Sequence, residues 1–345
     1  MDKDNGNEIE IPSIYKPKTA KFRHTAQRLK NDRKNSINLN SSKDWQEVAA
    51  DICGETGGGI EIDLSDLKQI LLVSKTAEAL FAAADDISLQ YDSQAPVSQM
   101  YVSGDKTILT FNPSHSKGAL LHLLSREIRR VHQYRVGALV NPMSFEPEEA
   151  VLVNRAQQAD ALVAAIKISW ELKLAGENDA WDFLCASFAA DEAHAFEAVA
   201  QKDFRTLNNG EAARAAYDKF FATNTKMSDK RVIQQMLLSE GYLKGKGGKK
   251  RQVAGHEIFL ALGEMPFSRN YLALPGKTPP TDARYKTVED RSNANFLWFI
   301  KFECSFQEKE AQMVKESVVR SAEIVDFSVW MLKSGRALAA SKPTA

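Results

Sequence analysis

The sequence predicts a mainly α (α+β) protein with a helical core, one short β-hairpin and a C-terminal helical region. Three observations predict it. Apolar residues recur at helical spacing through most of the chain beyond residue 112. A single stretch, Gln99 to Phe111, carries the pattern of two short strands about a turn. The composition, 43% hydrophobic and 26% charged over 345 residues, suits a globular chain with a substantial core.

Residues 1–42 read as a disordered basic arm, rich in Asn, Lys and Ser and lacking aliphatic periodicity. From Lys16 to Lys34 it has eight basic residues and one acid, Asp32. Such a run either meets nucleic acid or another acidic partner, or is a solvated tail. Only Tyr15, Phe22 and His24 offer rings for stacking, so the solvated tail is the stronger reading. Next, Gly54-Glu-Thr-Gly-Gly-Gly59 superficially resembles a phosphate loop. It lacks the Lys-Ser/Thr pair and reads as a flexible turn.

The main domain is expected over residues 43–274. Leu67, Ile70, Leu71, Ala77, Leu80 and Phe81 mark a helix over 64–85. The hairpin follows: Met100-Tyr-Val, a turn at Ser103–Lys106, then Thr107–Phe111, stopped by Asn112-Pro113. A helix from Lys117 to Tyr134 has Leu120, Leu123, Leu124, Ile128 and Val131 on one face, and Glu127 falls on that face. Another runs from Pro147 to Ala175. Pro147 suits its first position, Glu148 and Glu149 its positive end, and Gly176 its cap. Between Ala156 and Ile166 its only charge is Asp160. So apolar a helix is central, and its lone carboxylate must be paired, hydrogen-bonded or protonated.

Further helices are expected at about 180–201 and 210–222. Lys244–Arg251 is a basic mobile loop, and residues 275–287, with Pro279-Pro280, a linker. Residues 288–338 form one long helix or two, and 339–345 a tail. Phe296, Trp298, Phe299, Phe302 and Phe306 are expected to pack on the domain or on a second subunit. There is no internal repeat.

Forty-five basic residues balance forty-five acidic ones, so net charge points to no dominant nucleic-acid or membrane surface. No run approaches the roughly 20 apolar residues of a membrane span. The polar N-terminus, with Asp2, Asp4, Glu8 and Glu10, has no signal-peptide core. The chain reads as cytoplasmic. Cys53, Cys185 and Cys304 are odd in number and far apart, as expected of buried thiols in a reducing compartment. Without a CxxC pair, a thiolate zinc site is not expected.

The chemistry concentrates in residues 120–133, Leu-Leu-His-Leu-Leu-Ser-Arg-Glu-Ile-Arg-Arg-Val-His-Gln. A zinc-peptidase helix reads His-Glu-x-x-His. Its histidines, four apart, share one face and grip Zn²⁺, and the Glu is the general base. Here the Glu is Glu127, and the histidine positions hold Arg126 and Arg130. Arginine stays cationic and has no lone pair for zinc.

The strand ending at Asn112-Pro113, the helix with Glu127 and Gln133, and Arg155-Ala-Gln-Gln-Ala-Asp-Ala161 follow in a distinctive order. Trp181, Ala195-Phe196 and Asn209–Ala216 extend the pattern. Over roughly residues 90–225 the chain resembles a bacterial domain-of-unknown-function family classed with the metallopeptidases and similar to minimal gluzincins. The resemblance implies a zincin-like core: a strand, a His-Glu-x-x-His helix and a second helix with Glu-Ala-Asp-Ala. It makes Arg126, Arg130 and Gln158 vestigial ligand positions, Glu127 the retained general-base position and Asp160 the retained supporting acid.

No metal cofactor is then expected; zinc would require relocated ligands. His122 and His132 are ten residues apart, roughly 15 Å along the helix axis, and cannot share one ion. His115 or His194 would have to take part. The simpler expectation is that Arg126 and Arg130 pair with Glu127 and Asp160 and fill the former site. An ion-paired carboxylate is a weak base.

Three functions follow. The first is a metallopeptidase-family protein without zinc ligands, catalytically inactive, acting as a binding or regulatory protein toward a protein or peptide. The second is a divergent hydrolase with a relocated site using Glu127 or Asp160. The third is a nucleic-acid-associated protein acting through the basic arm. The loss of all three ligands leans the balance away from catalysis.

Overall fold

Polar caps divide the chain into short helices before its two long ones. Helix α1 (Leu64–Leu71) starts at Asp63, whose carboxylate accepts from the Ser65 backbone N–H. Helix α2 (Lys75–Ala82) starts at Ser74, whose Oγ accepts from the Ala77 N–H. The single helix expected over 64–85 is thus two. Its apolar spacing is kept, but Ser74 supplies a fresh cap in the middle. Glu171 fastens that cap, accepting from Ser74 Oγ at 2.6 Å and from the Thr76 N–H and Oγ1 at 2.9 and 2.6 Å. A carboxylate there also suits the positive end of α2.

The computed structural model describes residues 62–84, 86–95, 97–103, 106–243, 255–273 and 283–339. The basic arm, the Gly54–Gly59 turn, the 244–251 loop and most of the expected linker lie outside the described residues. The expected hairpin is β2 (Ser98–Ser103) and β3 (Lys106–Phe111), antiparallel, with Met100 opposite Leu109. A third strand, β1 (Ile87–Tyr91), pairs parallel to β3, giving the order β1-β3-β2. Ile-Ser-Leu-Gln-Tyr alternates as a half-buried strand should, and that was the signal for it.

Helix α3 (Lys117–Val136) is capped by Ser116 and ends at Gly137, whose φ of 82° is the left-handed cap conformation. Helix α4 (Pro147–Leu174) has 28 residues, about 42 Å, and is buried on nearly every side. It is the central helix its composition predicts. The helix expected at about 180–201 is interrupted at Ser187, which bonds Leu184 and Ala189 locally. It becomes α5 (Asp179–Cys185) and α6 (Ala190–Lys202). There follow α7 (Thr206–Asn209), α8 (Glu211–Thr223), α9 (Thr225–Leu238), α10 (Glu240–Leu243) and α11 (Gly255–Gly263). The last two are α12 (Ala283–Lys286) and α13 (Arg291–Ala339), the latter unbroken.

The fold is therefore mainly α with a small three-stranded sheet. Two apolar clusters hold it. One packs the sheet, α1 and α2 against α3 through Leu67, Leu80, Leu109, Phe111, Leu124 and Ile128. The other surrounds α4 with Trp170, Phe196, Tyr217, Phe259 and Leu262. The C-terminal end of the expected linker belongs to this second core. Tyr285 is buried, and Arg155 donates to the carbonyls of Tyr285 and Thr287. Cys304 is buried and Cys185 half-buried, neither in a disulfide; Cys53 lies outside the described residues. Among the described residues no helix is long and apolar enough to cross a membrane.

Helices α3 and α5 cross at Gly118, where an added Cβ would lie 2.3 Å from the Asp179 carbonyl oxygen. The obstacle is backbone and cannot swing aside. Gly118→Ala is expected to lose about 1–3 kcal/mol of stability. Gly241→Ala, where a Cβ meets nothing within 4 Å, should lose none. Urea unfolding of the two variants checks the contrast.

Candidate functional site: two polar networks on one helix

Helix period decides how the charged residues of α3 are shared out. Residues two apart in a helix point about 200° away from each other. Glu127 and Arg129 stand in that relation, so one looks toward β2 and the other toward α4.

Glu127 is 2% exposed. Ser98 Oγ, at the start of β2, donates to its Oε1 at 3.0 Å. Arg130 Nη1 donates to both carboxylate oxygens, at 3.2 and 3.0 Å. The carboxylate is thus clamped between a strand and the next turn of its own helix. Arg126, one residue before it, is half-buried. Its Nε is enclosed and has no hydrogen-bond partner. Burial draws the Arg126 guanidinium below the usual arginine range; Glu127 opposes the shift and Arg130 adds to it. The expected pairing of Arg130 with Glu127 is present.

Asp160 has a different partner from the one expected. It is fully buried, and its oxygens accept from Arg129 Nε at 2.8 Å and Nη2 at 3.0 Å. They also accept from Gln133 Nε2 at 2.6 Å and Tyr271 Oη at 2.7 Å. Arg129 is also fully buried, and its Nη2 donates to the carbonyls of Leu262 and Glu264. Arg126 and Arg130 make no hydrogen bond to Asp160. The physical reason is angular: Arg129 lies about 200° around α3 from Glu127, on the side that meets α4. Burial first, then the charge of Asp160, hold the Tyr271 phenol well above its ordinary range, so it remains a donor.

Gln158 stands apart from the arginines. It is two residues from Asp160, hence on the far side of α4. Its Nε2 donates to Asn154 Oδ1 at 3.2 Å, and Asn154 bonds the Ser228 carbonyl and hydroxyl on α9. Gln158 thus makes its hydrogen bond within α4, and none joins it to Arg126 or Arg130. Between α4 and α9, Arg155 and Asp229 form a bidentate pair with both contacts at 2.6 Å.

The histidines are dispersed. His122 is buried against the Phe183 ring, centroids 5.5 Å apart, and its Nδ1 has no partner. His132 Nδ1 lies 3.3 Å from Arg129 Nη1 and accepts from it, since a guanidinium only donates. His115 is buried near Val97, and His194 is exposed on α6. Among the described residues no three His, Cys, Asp or Glu side chains gather as metal ligands would.

Sequence reasoning missed Arg129, Arg155 and Tyr271. A signal existed for Arg155: it lies in a helix that is apolar on nearly all sides, and the logic that demanded a partner for Asp160 applies equally to it.

The buried histidines make a pH prediction. Burial first, then a neighbouring arginine, hold His122 and His132 at about 3, against an ordinary 6.5. Between those values the unfolded chain binds protons that the folded chain refuses. Stability from this source is complete above about pH 6.5 and is lost as pH falls toward 3. Unfolding free energies measured by urea across that window should fall with acidification, and His122→Gln should flatten the slope. An unchanged slope in the variant would remove His122 from the account.

Comparison with known proteins gives one result. No curated protein and no solved structure matches the chain. A family model matches residues 64–273, more than half the chain and wider than the segment that carries the resemblance in sequence. The chain belongs to the family described as "Putative metallopeptidase family (DUF6782)".

Proposed function

We propose that this protein is a zinc-free member of its metallopeptidase family and acts by binding rather than by hydrolysis. The observation that carries the proposal is the Arg130–Glu127 clamp. The residue standing at a histidine-ligand position donates to both oxygens of the carboxylate at the general-base position. Zinc needs lone-pair donors in tetrahedral array. Arg126 and Arg130 bring N–H donors and positive charge, and Gln158 hydrogen-bonds within its own helix, to Asn154. These residues do not fit the metal. The enclosed, unpartnered Arg126 Nε is likewise a donor, suited to an acceptor and not to a cation.

The hydrolase reading has less support. Asp160 is fully buried and its carboxylate accepts four hydrogen bonds, so it is already engaged within the fold. Glu127 is held by Ser98 and Arg130. The basic arm that motivates a nucleic-acid reading lies outside the described residues.

Elemental analysis of the purified full chain, after incubation with zinc and desalting, tests the proposal. The expected result is zinc far below one ion per chain, with no zinc-dependent peptide hydrolysis. Stoichiometric, tightly held zinc would overturn it. So would peptidase activity that disappears in Glu127→Gln.

A further inference from the structure

We propose that the outer face of α13 is a self-association surface that receives the same face of a second copy of this chain. Asn293, Leu297, Ile300 and Cys304 are buried, spaced as one stripe of the helix. They supply its contact with the domain, strengthened by the Asn293 bond to the Lys226 carbonyl and by the Lys301–Glu148 ion pair. Of the aromatic residues expected to pack on the domain or on a second subunit, three are on the opposite side. Trp298, Phe302 and Phe306 recur every four residues, about 200° from Ile300 on average. They are 66%, 52% and 54% exposed.

These rings form a continuous ladder. Trp298 and Phe302 stack with centroids 5.7 Å apart and planes at 18°, and Phe302 and Phe306 at 6.4 Å and 21°. Phe299 and Met313 are exposed on the same side. A helix apolar on two opposed faces belongs between two layers, and among the described residues one layer packs on it. The 49 residues of α13 extend about 74 Å. From Ser305 to Glu316 every residue but Gln307 is exposed. A helical stretch this exposed is marginal in water on its own, so a partner would stabilise it.

Charge selects the partner. From Lys301 to Glu316 there are three lysines and four glutamates. Nucleic acid and anionic membranes both require a clearly cationic face. A rim of both signs in near balance is instead complementary to its own copy. The whole chain, with formal net charge zero, adds no long-range repulsion between copies.

Sedimentation velocity of the full chain over a range of concentrations reads the mass directly. The expected result is a reversible dimer of the 38.4 kDa chain. The triple variant Trp298→Ser, Phe302→Ser, Phe306→Ser should be monomeric, with far-ultraviolet circular dichroism and thermal midpoint showing a folded domain. If that variant loses its fold, Phe306→Glu alone serves, and should raise the dimer dissociation constant about tenfold or more. A monomer at every concentration would overturn the proposal. So would a dimer that survives the variants, or a monomer whose aromatic face binds anionic vesicles or RNA.

Discussion

The buried pair of Arg129 and Asp160 is the constraint on which the rest of the structure depends. Both side chains are wholly removed from water. A charge in that position is tolerable only if it is paired and its remaining hydrogen-bonding groups are satisfied. Meeting that requirement recruits the surroundings. Gln133 comes from the next turn of α3, Tyr271 from the segment after α11, the Leu262 carbonyl from the end of α11 and the Glu264 carbonyl from just beyond it. One ion pair thereby fixes α3, α4 and the α11 region in a single register. The Arg155–Asp229 pair repeats the device on the other side of α4, tying in α9 and the segment around α12.

That arrangement limits what α3 can do. Its inward side toward α4 is taken up by Arg129 and Gln133, leaving the chemistry of a peptidase helix to the side facing β2. There Glu127 meets a serine hydroxyl and a guanidinium. In a zinc site the cation sits between the helices and is held by neutral or anionic ligands. Here the cation is covalently part of the helix and is matched by the carboxylate that adjoins it. On the zinc-free reading proposed above, the charge is balanced either way, and it is a bound metal that would polarise water for attack.

Much of this was legible in sequence. The apolar spacing located α3, α4, α8 and the β2–β3 hairpin, because burial of a continuous face leaves a periodic trace. Asp160 announced that it would be paired, since it was the only charge in an apolar stretch. Its partner was not legible, because three arginines at 126, 129 and 130 all lie within reach of a second helix until rotation is fixed. Gln158 lies two residues from Asp160, and the helix period turns it to another side of α4. Ser74 and Ser187 divided helices that periodicity alone runs together, since a cap is a local hydrogen bond and leaves the apolar spacing intact. The aromatic residues at the start of α13 were visible as a cluster, but which face they occupy depends on where Ile300 and Leu297 dock.

The central claim is that the charged interior of α3 holds the fold together by pairing. A double-mutant cycle with Arg129→Met and Asp160→Leu, read as unfolding free energy, tests it most directly. Each single change strands one buried charge and should lose about 3–5 kcal/mol. The double variant removes both charges and should lose far less than the sum. Single variants within about 0.5 kcal/mol of the parent, or losses that simply add, would contradict the account.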